Sequence, residues 1–182
     1  ANQVVTYADM NKDWQSFNYL YILIYPADDK EKIAYLLGDD ADEAADRERA
    51  LAIAQSETQA DPNNAFAWMN LGSNLTYFKR YTEAAAAFDK ARALGLPYRT
   101  LWYQFSPYRA YYNAGRYQDV IDLADATLEK ADNLEESYFW RGWARFSLGD
   151  RDAAIGDFRA ALKYNPDYLD AQTALTSLGV AP

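Results

Sequence analysis

A pattern of aromatic, glycine and alanine residues returns about every 34 residues, and that period restricts the fold more than any other feature of the chain. One copy runs Trp68, Leu71, Gly72, then Tyr81, Ala84, Phe88 and Ala91. Another runs Tyr138, Gly142, Gly149, then Ala154, Phe158, Ala161 and Pro166. A weaker copy lies between them: Tyr111, Gly115, Tyr117, Val120 and Ala124. Gly72 and Gly142 stand 70 residues apart, two periods with a small insertion.

The spacing inside each copy is helical. Ala84, Phe88 and Ala91, like Ala154, Phe158 and Ala161, recur at intervals of three to four, which places them on one helix face. Gly72 and Gly142 fall mid-helix at a cost of about 1 kcal/mol relative to Ala, so a neighbouring backbone is expected to pass close by. Gly115 and Gly149 fall at helix ends, where a left-handed residue closes the turn. Asp61-Pro62, Leu96-Pro97 and Asn165-Pro166 mark the boundaries. The predicted helices run about 64–78, 82–94, 98–113, 117–131, 135–147, 151–163 and 167–178. Pro107 lies inside one of them and should bend or split it.

These residues resemble the tetratricopeptide repeat family, whose signature is an aromatic-Leu-Gly-aromatic first helix and an Ala-Phe-Ala second helix closed by Pro. The repeats span about 65–98, 101–134 and 135–168. In the first, Leu75 replaces the usual Tyr. In the third, Arg141 stands where Leu is usual and Arg145 where Tyr is usual. In the second, Pro107 and Tyr108 stand where Leu-Gly is expected. The resemblance implies an all-α fold of antiparallel helix pairs wound into a superhelix, with 167–178 as a C-terminal cap and 39–182 as the repeat domain. It also implies a scaffold that binds partners.

Residues 1–38 read differently. Val4 to Tyr7 suggests a short strand, Asp9 to Phe17 a short helix, and Asp28 to Leu37 a helix ended by Gly38. Tyr19 to Tyr25 is a run of seven apolar residues stopped by Pro26, the strongest strand signal in the chain. The expectation is a small α+β segment. Thr6 to Met10, Trp14, Phe17-Asn18 and Tyr19 to Pro26 resemble the tail of a bacteriocin-processing (double-glycine) cysteine peptidase domain. That likeness implies a bacterial protein working outside the cytoplasm, an accessory region whose catalytic core is absent. An orphan strand at Tyr19–Tyr25 would then pair with its copy in a homodimer. Asp42 to Gln59 reads as a long helix in the place of the second helix of a preceding repeat.

Composition removes whole classes of function. The 182 residues contain no cysteine and no histidine, which excludes thiol catalysis, a Ser-His-Asp triad and the common zinc sites. A net charge of −9 argues against nucleic acid. No apolar run reaches the roughly 18 residues of a membrane span. Asp150, Asp152 and Asp157 read as capping and solvated charge. The chain is therefore expected to be no enzyme and to need no cofactor or metal.

In this family the first helix of each pair lines the concave groove. The phase of Gly72 and Gly142 points Phe66, Met69, Ser73, Thr76 and Tyr77 there, then Trp102, Phe105, Arg109, Tyr112 and Asn113, then Glu136, Phe139, Trp143, Phe146 and Ser147. Aromatic and Arg side chains in pockets carry much binding energy. Met69, Phe105 and Phe139 stand where a carboxylate-gripping clamp would want a cation or amide. The expected ligand is an apolar or aromatic-rich peptide or protein segment.

Overall fold

The computed structural model describes residues 6–18 and 23–182. It divides into two compact units, one of Ala1–Phe78 with Ala86–Leu96 and one of Lys79–Ala85 with Pro97–Pro182.

In the first unit, helix α1 (Tyr7–Gln15) starts where the Thr6 hydroxyl accepts the Asp9 N–H at 3.1 Å. Helix α2 (Lys30–Leu37) ends at Gly38 and buries no residue. Helix α3 (Glu43–Ala60) is capped by Asp42, whose carboxylate accepts the N–H groups of Ala44 and Ala45. Helix α4 (Ala65–Tyr77) follows, capped by the Asn64 side chain. Helix α5 (Tyr81–Ala93) shares its residues between the two units. α1 is tied to α4 by amides. Asn70 donates to the Gln15 carbonyl at 2.9 Å, Asn64 to the Gln15 side chain at 3.0 Å, and Asn18 to Asn74 at 3.2 Å. Asn74 also donates to Ala50 O on α3, so polar side chains join three helices.

The second unit contains α6 (Ser106–Asn113), α7 (Tyr117–Leu128), α8 (Glu135–Ser147), α9 (Arg151–Tyr164) and α10 (Leu169–Ser177). The long helix expected over 98–113 is divided into a 3-10 turn at Tyr98–Trp102 and α6. Pro107 opens α6 within its first turn, where its missing N–H would have had no partner anyway.

One bond recurs in register. Trp68 Nε1 donates to Pro62 O at 2.9 Å, Tyr138 Oη to Asp132 O at 2.9 Å, and Gln172 Nε2 to Pro166 O at 2.8 Å. Each side chain reaches the loop carbonyl six residues back, tying the entering loop to the first helix of a pair. Gln172 puts α10 in that series. The helix read as a cap is tied to its entering loop in the same way as the first helices of the repeats.

The mid-helix glycines face rings rather than backbone. A Cβ on Gly72 would lie 2.5 Å from Phe88 Cε1, and one on Gly142 would lie 2.7 Å from Phe158 Cε1. In the middle repeat the sizes are exchanged. Tyr108 holds the glycine place and Ala124 the phenylalanine place, and both are fully buried. The Tyr108 hydroxyl bonds Thr127 Oγ1 at 3.2 Å and Ser137 Oγ at 2.9 Å, so the larger ring keeps its polar end satisfied.

The expected α+β segment is not supported: no strand occurs among the described residues. Residues 1–5 and 19–22, which carried half of the Val4–Tyr7 signal and most of the Tyr19–Tyr25 signal, lie outside them. Thr6 is a helix cap and Leu23–Tyr25 are irregular.

Candidate functional site

The first-helix face of the second unit is a connected run of rings. Tyr112 on α6 stands 5.8 Å from Trp140 on α8 and 5.3 Å from Tyr117 on α7. Its hydroxyl bonds Ser147 Oγ at 3.0 Å. Along α8, Phe139 meets Trp140 at 5.5 Å and Trp143 at 6.4 Å, and Trp143 meets Phe146 at 5.9 Å. Most of these contacts are edge-to-face or tilted, as ring quadrupoles prefer. Phe139 and Trp143 also press on the buried Phe158, at 6.0 and 5.3 Å. They are half core and half surface, whereas Phe146 keeps 37% of its area exposed.

The other expected groove residues are placed less uniformly. Arg109 is exposed. Asn113 turns its amide onto its own helix, donating to Arg109 O at 2.8 Å. Phe105 is the N-cap residue of α6 and is half-buried. Trp102 sits on the 3-10 turn, 40% exposed, with the Arg99 guanidinium 5.5 Å from its ring. Phe66, Met69 and Tyr77 belong to the first unit. Met69 is 1% exposed and presents nothing to a ligand. Phe66 is half-buried, and Tyr77 is 44% exposed beneath the Arg47 guanidinium at 4.8 Å.

Glu136, in the first turn of α8, is half-buried beside the rings. Burial pushes its carboxyl above the usual range against the Tyr168 hydroxyl and the Trp140 indole N–H, and Asp170 and Glu135 add to the rise. Burial, then the Glu136 charge, pushes the Tyr168 hydroxyl well above its ordinary value. Trp140 and Tyr168 were not among the residues expected from sequence. Trp140 had a signal, since it lies one helical turn after Glu136 on the same face. Tyr168 is the N-cap residue of α10 and had none.

Asp157 departs from its expected solvated role. It is 3% exposed and is the centre of an ion cluster behind the ring face. Arg141 donates to it through Nη2 at 2.6 Å and Nε at 3.0 Å, and Arg145 through Nη1 at 2.9 Å. Arg141 also reaches Asp125 on α7 at 2.5 Å and lies over the Tyr138 ring. The two arginines that break the repeat pattern therefore bind one buried acid. By contrast, Asp150 caps α9 as expected, accepting the Ala153 N–H at 3.1 Å. No group of three or more Asp or Glu among the described residues is placed to hold a metal. No helix there is long and apolar enough to cross a membrane.

Residues 135–168 match the tetratricopeptide repeat family. The chain has the tetratricopeptide-repeat fold. It is similar to the crystal structure of YrrB, a repeat protein with an unusual peptide-binding site, at 21% identity and a TM-score of 0.60. That match covers 81% of this chain and 75% of YrrB. It is also similar to the crystal structure of MamA, at 18% identity and a TM-score of 0.63, covering 87% of this chain and 88% of MamA. No curated protein sequence matches this one. The peptidase-tail likeness finds no support in the family match or in these two structures.

Proposed function

We propose that residues 39–182 form a non-enzymatic interaction module, and that a peptide or protein segment binds the aromatic face of α6 and α8. The observation that carries this reading is the ring series Tyr112, Trp140, Phe139, Trp143 and Phe146, linked at 5.5–6.4 Å and still partly open to solvent. A core would close over such rings, but a recognition face leaves one side free. The fold shared with YrrB, a protein with a peptide-binding site, supports the same reading. The experiment is selection of displayed peptides on the intact protein, followed by fluorescence titration of a recovered peptide. Phe146→Ala, which removes an exposed ring without opening the core, should weaken binding at least tenfold. Unchanged binding, or no recovered peptide, would remove this reading.

A second reading is an accessory region of a larger bacterial peptidase, or a homodimer formed through 19–25. It is favoured by α2, whose Tyr35 and Leu36 are 86% and 69% exposed. Its test is protection of the α2 amides from exchange that is lost on dilution, since only a second molecule covers a face in that concentration-dependent way.

A further inference from the structure

Resting on the ring face just described, we propose that the cluster of Glu136, Phe139, Trp140 and Tyr168 receives a cationic side chain, lysine or arginine, from the bound segment. Three facts converge there. The rings adjoin one another: Phe139 meets Trp140 edge-to-face at 5.5 Å and 77°, and Tyr168 edge-to-face at 5.4 Å and 66°. Ring faces attract a cation, most strongly when it is desolvated. Glu136 stands one helical turn before Phe139 and Trp140 on α8 and is half-buried, with Glu135 beside it and Asp170 in the first turn of α10. Among the described residues no lysine or arginine pairs with Glu136. The two arginines of α8 are committed elsewhere, Arg141 to Asp125 and Asp157 and Arg145 to Asp157.

A first-turn acid is ordinarily explained by the positive end of the helix dipole. That accounts for a solvated carboxylate. It does not account for one withdrawn from water into rings beside other acids, because removing a charge from water is unfavourable until an opposite charge arrives. A ligand cation would supply that charge and lie against the rings beside it. An apolar ligand side chain would use the rings and leave the carboxylate uncompensated.

The test uses the intact protein and two small probes, N-acetyl-arginine amide and its neutral isostere N-acetyl-citrulline amide. The readout is the Trp140 indole N–H resonance, assigned by its loss in Trp140→Phe. The arginine probe should shift that resonance saturably, with the citrulline probe about tenfold weaker. Glu136→Gln should lower the arginine response to the citrulline level. Equal response to both probes in the wild-type protein overturns the proposal without any variant. So does an arginine response that Glu136→Gln leaves unchanged. A selected peptide that binds wild type and Glu136→Gln equally would keep the ring face as a binding site and remove the cation subsite alone.

Discussion

Lys79 follows α4 with φ at 59°, a left-handed conformation that costs a side-chain-bearing residue about 1–2 kcal/mol. The equivalent turns of the next two repeats hold Gly115 and Gly149 at φ 75° and 91°, where no Cβ meets the backbone. Lys79→Gly removes that cost and returns part of it as extra freedom in the unfolded chain. The net expectation is a gain of about 0.5–1 kcal/mol, read as a higher urea midpoint with an unchanged slope. A lower midpoint would mean that the lysine side chain has a role in this turn. The two glycines were readable as helix stops from sequence. Lys79 was not, because nothing about a lysine announces a positive φ. The mid-helix glycines were readable as close approaches, but what approaches is a phenylalanine ring sixteen residues on. The exchange of Gly and Phe for Tyr108 and Ala124 hid the middle repeat from a search for Leu-Gly. It is legible once volumes are compared pairwise across the helix pair.

At the scale of the element, α8 is held to α7 and α9 by charge where the family pattern would use apolar side chains. Arg141 and Asp157 have side chains only 15% and 4% exposed, so neither partner can return to water if the other is lost. Removing one member of a buried pair costs about 3–5 kcal/mol, whereas replacing the whole cluster with apolar groups is often neutral. Arg141→Leu, the residue usual in the family, should therefore destabilise the protein by about 3 kcal/mol in urea unfolding followed by near-UV circular dichroism. Adding Asp157→Leu should restore most of that loss, since Arg145, at 29% side-chain exposure, can turn to solvent. Equal losses in the single and double variants would show that the bidentate geometry is a net stabiliser. The two arginines were visible in the sequence as departures from pattern. Their partner was not read, because Asp157 near a helix start has a solvated explanation that position alone cannot reject. Two arginines one turn apart on an otherwise buried face call for a buried acid, and that physical demand was the missed signal.

Across the whole molecule, burial is unevenly distributed, and stability should follow it. The core positions Ala154, Phe158, Ala171, Ala174 and Leu175 are at most 1% exposed, whereas α2 has no buried residue at all. Amides open locally with free energies set by the packing around them. In hydrogen exchange, α8 and α9 should show the greatest protection, and Lys30–Leu37 should exchange nearly as an unfolded peptide. An eight-residue helix is too short to hold itself without a packed face, and Tyr35 and Leu36 point their apolar surface at water. Strong protection of α2 at high protein concentration, lost on dilution, would mean that a second copy covers it. Light scattering would then report a dimer, and the orphan-segment reading of residues 1–38 would gain. Protection that persists at all concentrations would instead place the cover within a single chain. The repeat period specified the paired helices because it constrains many residues at once through one packing rule. The strand signals of the N-terminal segment fall largely outside the described residues, Leu23–Tyr25 are irregular, and propensity alone does not make a sheet. Exchange at α2 is therefore the measurement that separates a self-sufficient repeat module from a piece of a larger assembly.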